Sequence, residues 1–178
     1  FHATSIMDIA TACQTSKSRL YHYFSSKEQV LYEILFDHAS TLGASFEPIV
    51  NDANLAPEAK LRKFAENLLL RNIKFRAKHK LILGELDALP PAQRQEVTTL
   101  LRQPIEAIFS TLNLINPGMA KDTSLQFPVA MLFIGMINWT HTWFSGDGDL
   151  SPEVFAKLMC DTFIGGFANV DLEALIQR

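Results

Sequence analysis

The chain has 178 residues, of which 48% are hydrophobic and 20% are charged, and its formal net charge is -3. This is the composition of a globular protein that can bury a sizeable core. The two cysteines exclude a disulfide framework, and the most apolar segment, residues 127–137, is too short to span a bilayer. No signal-peptide pattern opens the sequence, so we expect a cytoplasmic protein that does not bind membranes.

The first part of the chain predicts three helices in close succession. Ser5 with Asp8 forms a capping box that opens a helix ending near position 13, and Ser16 caps a second helix through about position 23. Ser25 with Glu28 forms another capping box, which opens a longer helix toward position 43 or beyond. Strand-like alternation is scarce along the whole chain, so the predicted fold is all-α.

Longer and more apolar helices follow. They are predicted from Pro57 to about 78, over residues 79–88, from about 91 to 114, from Asp122 to about 144, and from Pro152 onward. Pro104 is predicted to kink the third of these helices. Asp122 and Ser151 are the predicted caps of the last two.

Residues 17–23 form a short, polar and basic surface on a helical projection. The buried edges are predicted at Leu20 and Phe24 and, in the preceding helix, at Ile6, Ile9, Ala10 and Cys13. Residues 1–32 carry a slight positive excess although the whole chain is acidic. Two short helices joined by a turn, with donors at the N-terminal end of the second, form the helix-turn-helix geometry that places the second helix in a DNA major groove.

This geometry predicts a role for each exposed side chain. The tyrosine hydroxyls and Lys27 would contact phosphates, which fix the register, while Lys17, Ser18 and His22 would contact base edges. The full predicted DNA-binding set is Thr4, Ser5, Lys17, Ser18, Arg19, Tyr21, His22, Tyr23 and Lys27.

The stretch TSIMDIATACQTSKSRLYHYFSSKEQVLYEIL, residues 4–35, resembles the DNA-binding domain of the TetR family of bacterial transcriptional repressors. The resemblance is carried by the Thr-Ser opening and by the segments at 9–10, 16–17, 20–24 and 26–28. Gln14 departs from the pattern, because the family commonly has glycine in this turn, and a left-handed glutamine would cost roughly 1 kcal/mol or more. The family's first helix would precede Phe1, so the domain is expected to be incomplete at its N-terminus.

The resemblance implies an all-α homodimer with a DNA-binding domain at 1–45 and an effector-binding and dimerisation domain at 46–178. In the family the last two long helices pair with those of the partner in a four-helix bundle. Effector binding reorients the DNA-binding domains and releases the operator. The expected partners are therefore a palindromic double-stranded operator, a small hydrophobic effector and a second copy of the chain.

The segment GMINWTHTWFSGDGDLSPEVFAKLMCDTFIGGF, residues 135–167, is similar to the end of a subgroup that controls fatty-acid, steroid or aromatic-acid catabolism. Many members of that subgroup bind acyl-CoA thioesters, which makes an acyl-CoA the expected effector. The likeness rests on Asn138-Trp139, on Trp143 and on the Ser151-Pro152 helix start.

Apolar stripes interrupted by Gly135 and Asn138 suggest where such an effector would bind. The candidate ligand-binding residues are Phe64, Leu68, Arg71, Phe75, Phe109, Met131, Gly135, Asn138 and Trp139. Arg71, Lys74 and Arg76 could meet CoA phosphates, and a solvated basic face is the alternative. For the apolar residues the alternative is plain core packing.

The last helix carries an apolar stripe too broad for one helix to bury alone, which predicts a two-fold interface. The candidate interface residues are Trp143, Phe155, Leu158, Met159, Thr162, Phe163 and Gly166.

Two other functional classes stay open at this stage. An all-α enzyme is disfavoured because no nucleophile or acid–base set emerges, and an acyl or lipid carrier would use the basic segment for something other than DNA. Within the regulator class, the alternative effector is a hydrophobic drug or aromatic compound, as in efflux regulators. The five histidines show no zinc spacing, so neither a metal nor a cofactor is predicted.

Overall fold

A computed structural model describes residues 1–121, 123–167 and 169. The α-helices in this part of the chain are α1 Ile6–Ala12, α2 Lys17–Tyr23, α3 Lys27–Asn51, α4 Pro57–Lys74, α5 Arg76–Gly84, α6 Pro91–Ile115, α7 Thr123–Trp139 and α8 Pro152–Phe167. Short 3-10 turns cover Leu86–Ala88, Pro117–Lys121 and Thr140–Thr142. The described residues contain no strand, so the prediction of an all-α fold is confirmed.

Hydrogen bonds at the helix starts confirm three predicted caps, one of which is Ser151, whose Oγ accepts from the amide of Val154 at 3.3 Å. The amide of Asp8 donates to Ser5 Oγ at 3.2 Å, and the amide of Ser5 donates back to Asp8 Oδ2 at 2.7 Å. Ser16 Oγ accepts from the amide of Arg19 at 3.1 Å. The predicted cap at Ser25 is wrong, because the capping side chain is that of the next residue, Ser26. The segment contains two overlapping capping patterns, and the sequence alone favoured the earlier one.

Several predicted boundaries also shift. The helix that starts at Pro57 ends at Lys74 rather than near 78, because Phe75 leaves helical geometry, with φ -114° and ψ 32°, and packs edge-on against His38. The helix predicted to reach about 144 changes to a 3-10 turn after Trp139. The predicted cap at Asp122 lies outside the described residues.

Two apolar clusters hold the larger part of the chain together. One lies between α4, α6, α7, α8 and the end of α3, where Phe46 and Phe64 stack with ring centroids 4.6 Å apart. The other lies between the first half of α3, α5 and the start of α6. The long α3 belongs to both clusters and continues through the proposed domain boundary between 45 and 46. Hydrogen bonds from Tyr32 to Glu96 and from Gln93 to Gln29 also join α3 to α6.

Candidate DNA-binding and effector sites

Helices α1 and α2 pack through small and apolar side chains. Ala10 is 2% exposed and Leu20 is 7% exposed, so a close helix crossing forms as predicted. Cys13, predicted on the buried edge, is exposed. It lies beyond the last residue of α1, so the helical projection no longer applies to it. Gln14 in the turn adopts φ 51°, the left-handed conformation that its place in the pattern required.

The outer surface of α2 is polar and exposed. Tyr21 and Tyr23 are 47% and 66% exposed, and Lys17, Ser18, Arg19 and His22 are exposed between and beside them. The Lys17 ammonium lies 5.7 Å from the centroid of the Tyr21 ring, one helical turn away, in a cation–π arrangement. Donors, a cation and two phenols are therefore all exposed on one short helix.

Thr4, Ser5 and Lys27 lie beside this surface with different surroundings. Thr4 and Ser5 are exposed, and the Ser5 hydroxyl is already used in the cap of α1. The Lys27 ammonium donates to the backbone carbonyls of Phe1 and Thr4, at 3.2 and 2.9 Å. Lys27 therefore ties α3 to the segment that precedes α1, instead of extending freely into solvent.

A cavity of about 180 Å³ lies between α3, α4, α5, α6 and α7. Its wall is mostly aliphatic, and it is lined by His38, Leu42, Leu68, Arg71, Asn72, His79, Ile82, Leu83, Leu101, Pro104, Ile105, Ile108, Met131, Ile134 and Asn138. The polar members are His38 in α3, Arg71 and Asn72 in α4, His79 in α5 and Asn138 in α7. An apolar pocket with a few convergent polar groups is the usual form of a small-molecule site.

The polar side chains of the cavity contact one another or neighbouring polar groups. The His38 and His79 ring centroids are 6.3 Å apart, and the Arg71 guanidinium donates to Thr41 Oγ1 at 2.8 Å. Asn72 lies within 3.5 Å of the carbonyl of Ile137, one residue before Asn138. These contacts gather the polar side chains at one end and leave the aliphatic wall at the other.

Burial governs the ionisation of the two cavity histidines. It lowers the pKa of His38 to about 4, and the positive charge of Arg71 adds to the effect. Burial also lowers the pKa of His79 to about 4, with His141 as the next cause. Both rings are therefore neutral at pH 7, and each can donate one hydrogen bond and accept another.

Only part of the predicted ligand set lines this cavity. Leu68, Arg71, Met131 and Asn138 lie in its wall. Phe64, Phe75, Phe109, Gly135 and Trp139 do not. Successive helical residues are rotated by about 100°, so Asn138 can line the cavity while Trp139, 68% exposed, faces away from it.

The aromatic candidates lie elsewhere in the helical body. Phe64 is fully buried against Phe46, and Phe109 packs against the same cluster. Phe75 packs beside the cavity, against the outer edge of His38. Of the three basic residues, Arg76 donates to the carbonyl of Phe144, and Lys74 lies exposed over the Phe75 ring.

His38, Asn72 and His79 line the cavity but were missed by the sequence interpretation. A signal for two of them was present, because His38 follows Leu31 and Leu35 on one helical face, and Asn72 follows Leu61 and Leu68. A polar residue at a core-facing position needs a partner, so such positions mark sites that sequence reasoning can find.

Helices α7 and α8 expose an apolar surface. Its large members are Phe127, Leu132, Trp139, Trp143, Val154 and Leu158, each more than half exposed. Gly135, Gly165 and Gly166 have open space where a side chain would lie, so another backbone can approach there. Among the predicted interface residues, Thr162 is also exposed and Phe155 and Phe163 are half-buried, whereas Met159 is 7% exposed in the chain's own core.

Comparison with known proteins finds two family models that match different parts of the chain. The family described as "Bacterial regulatory proteins, tetR family" matches residues 1–34, and "Tetracyclin repressor-like, C-terminal domain" matches residues 54–167. No curated protein matches the chain.

Solved structures are similar over nearly the whole length. A TetR-family transcriptional regulator from Bordetella parapertussis is 38% identical, with a TM-score of 0.87 over 95% of this chain and 88% of that one. The TetR-family regulator PfmR from Thermus thermophilus is 28% identical, with a TM-score of 0.77 over 92% and 89%. AibR, solved with isovaleryl coenzyme A and operator DNA, shares the fold at 24% identity, with a TM-score of 0.76 over 90% and 87%.

An exposed helix-turn-helix joined to a helical body with an internal cavity defines a ligand-responsive DNA-binding regulator. The chain belongs to the TetR family of bacterial transcriptional regulators. No helix among the described residues is both long enough and apolar enough to cross a membrane.

Proposed function

We propose that this protein is a transcriptional repressor that binds a palindromic operator as a homodimer and leaves it when a hydrophobic effector fills the cavity. The observation that carries the proposal is that one chain holds both the exposed α2 surface and an apolar cavity lined in part by α3, the helix that follows α2. An acyl carrier would account for the cavity but not for the helix-turn-helix arrangement of α1 and α2.

On DNA, the exposed side chains of α2 would divide into two groups. Lys17, Ser18 and His22 would read base edges, while the hydroxyls of Tyr21 and Tyr23 would bind phosphates on either side. Arg19, Thr4 and Ser5 would complete the contact surface. Lys27, already held by two carbonyls, would support the arrangement from behind.

The exposed apolar surface of α7 and α8 would form the dimer interface. A surface that carries six large apolar side chains is costly to leave in water, and a second copy of the same surface would cover it with two-fold symmetry. The two copies of α2 would then need a separation of about 34–36 Å to reach successive major grooves.

The effector would be an acyl-CoA thioester from fatty-acid or aromatic catabolism. Its acyl part would lie against the aliphatic wall near Met131 and Ile134, and the CoA phosphates would stay outside, because burying them unpaired is too costly. No Asp or Glu of the described part of the chain lines the cavity, which disfavours cationic drugs. The shared fold of AibR, solved with an acyl-CoA, supports an effector of this class.

Operator release provides the test. Full-length protein bound to a fluorescent operator is titrated with acyl-CoAs, the matching free acids and cationic drugs, and fluorescence anisotropy reports release. Acyl-CoAs should release the DNA at micromolar concentrations. Release by drugs alone, with no response to any CoA ester, would contradict the proposal and favour an efflux-type regulator.

A cavity-filling variant provides the matched control. Ile105→Trp should block release while leaving operator binding unchanged, because the indole would occupy the space that the effector needs. Thr99→Trp places the same side chain on an exposed position of the same helix and should behave as the parent protein.

A further inference from the structure

The volume of the cavity limits the buried part of the effector. A cavity of about 150 Å³ accommodates a benzene molecule, and the cavity here measures about 180 Å³. It can therefore hold an apolar group of roughly seven or eight non-hydrogen atoms. A long fatty-acyl chain contains about twice that number and would not fit without rearrangement of the wall.

Two polar atoms of the cavity wall have no hydrogen-bond partner among the described residues. They are Arg71 Nε and His79 Nε2, and both are buried. His79 as a whole is only 7% exposed. A buried polar group without a partner destabilises the protein, so these two atoms mark the place where a ligand atom would be stabilised most.

The chemistry of the missing partner follows from the donors. A guanidinium group can only donate, so Arg71 requires an acceptor. The neutral ring of His79 can likewise donate from Nε2 to an acceptor when the hydrogen lies on that nitrogen. The nearby carboxylate of Asp37 does not compete, because it is bound by Lys78 at 2.6 Å.

We infer that the buried part of the effector is a compact branched or aromatic group that ends in a carbonyl or carboxylate oxygen, held by Arg71 and His79. The inference rests on the proposed function, since it specifies the ligand of the proposed effector site. The apolar group lies against the aliphatic wall, and the oxygen lies at the polar end. A thioester carbonyl and a free carboxylate both supply this oxygen.

Isothermal titration calorimetry of the full-length protein tests the role of the oxygen without DNA. Benzoyl-CoA is compared with benzyl-CoA, a thioether that lacks only the carbonyl oxygen. The thioester should bind at least tenfold more tightly, and equal affinities would overturn the inference. Free benzoate distinguishes a thioester carbonyl from a carboxylate as the source of this oxygen. If benzoate binds as tightly as benzoyl-CoA, the acceptor is a carboxylate.

The acyl-chain length of the ligand and two protein variants provide further tests of the inference. A branched five-carbon acyl-CoA should bind at least tenfold more tightly than palmitoyl-CoA. Arg71→Met should abolish the preference for thioester over thioether, whereas Arg62→Met, which removes the same charge from the same helix where it pairs with Asp161, should retain it. Tighter binding of palmitoyl-CoA, or an unchanged preference in Arg71→Met, would refute the inference.

These outcomes are separable from failure of the proposed function. Calorimetry measures occupation of the cavity whether or not the DNA is released. If compact thioesters bind as expected but never release the operator, the ligand assignment stands and the repressor mechanism fails. If Arg71→Met does not fold, the two ligand pairs in the parent protein still decide the question.

Discussion

The N-terminal unit, α1 and α2, and the helical body, α3 to α8, use their side chains in opposite ways. In the N-terminal unit only Ala10 and Leu20 are buried, and the polar groups of α2 are exposed. The body encloses nearly all of the core and buries polar side chains as well, including His38, Asn72 and His79. The N-terminal unit is therefore specified mainly by local caps, and its polar groups are available to a partner. The body depends on long-range packing instead.

The largest expected effect concerns the exposed apolar side chains of α7 and α8 in the body. Leu158→Glu places a charge in the apolar surface of α7 and α8, where Leu158 is 54% exposed. We expect a monomer at micromolar concentration and at least a hundredfold loss of operator affinity, or about 3 kcal/mol. Analytical ultracentrifugation and anisotropy measure the two effects.

Gln95→Glu is the control for this change, because it adds the same charge at an exposed position of α6. It should remain a dimer and bind DNA as the parent protein does. Phe163→Glu is less informative, since Phe163 packs against Phe133 at 5.1 Å and its replacement would also disturb the core. A Leu158→Glu protein that sediments as a dimer would refute the interface.

Lys17→Ala tests whether the N-terminal unit reads sequence. A lost base contact should cost about 1–3 kcal/mol on the operator and much less on unrelated DNA, so discrimination falls. Lys63→Ala removes a charge from an exposed position of α4 and should leave discrimination intact. Unchanged affinity and selectivity in Lys17→Ala would show that the recognition surface is assigned incorrectly.

Stability as a function of pH should report on the two buried histidines of the cavity. The pKa values of His38 and His79 are about 4 in the folded protein, below the ordinary value of about 6.5. The unfolded chain therefore binds more protons between these values, and stability falls as the pH drops from about 6.5 toward 4. Urea unfolding at fixed protein concentration should show a loss of about 1 kcal/mol per histidine between pH 7.5 and 5.5.

His79→Gln should remove its share of this loss. Equal losses in the parent protein and in His79→Gln would mean that His79 is not kept neutral by the fold.

The smallest expected effect is that of Tyr23→Phe. Removal of one hydroxyl should weaken binding by about 0.5–1.5 kcal/mol. The loss should be the same for operator and unrelated DNA, because a phosphate contact carries no sequence information. Anisotropy on both duplexes measures it, and a loss confined to the operator would show that Tyr23 contacts a base.

How far the sequence could predict the structure differs between the two regions. The N-terminal helices begin at serines whose caps depend on residues three positions away, so local patterns predicted their limits closely. Even there, adjacent serines at 25 and 26 offered two starts, and only the packed structure selects the second. The exposed surface of α2 followed from helical periodicity alone.

The body could be predicted only in outline. Its helices follow from periodicity, but the break at Phe75 carries no glycine or proline signal and depends on contact with His38. The cavity joins side chains from five helices, so no single stripe could show which apolar residues line it. Trp139 illustrates the error, because its sequence resemblance suggested a ligand contact while its helical position places it on the outer surface.

The length of α3 has a mechanical consequence. This uninterrupted helix begins at Lys27, immediately after α2, and carries His38 in the cavity wall. The 11 helical steps from Lys27 to His38 span about 16.5 Å at 1.5 Å per residue, so a tilt of about 5° about His38 would move the start of α3 by about 1.4 Å. The helix would act as a lever arm, because a small change in its tilt at the cavity produces a larger displacement at its N-terminal end. In a symmetric dimer both arms would swing, which doubles the change in spacing between the two copies of α2.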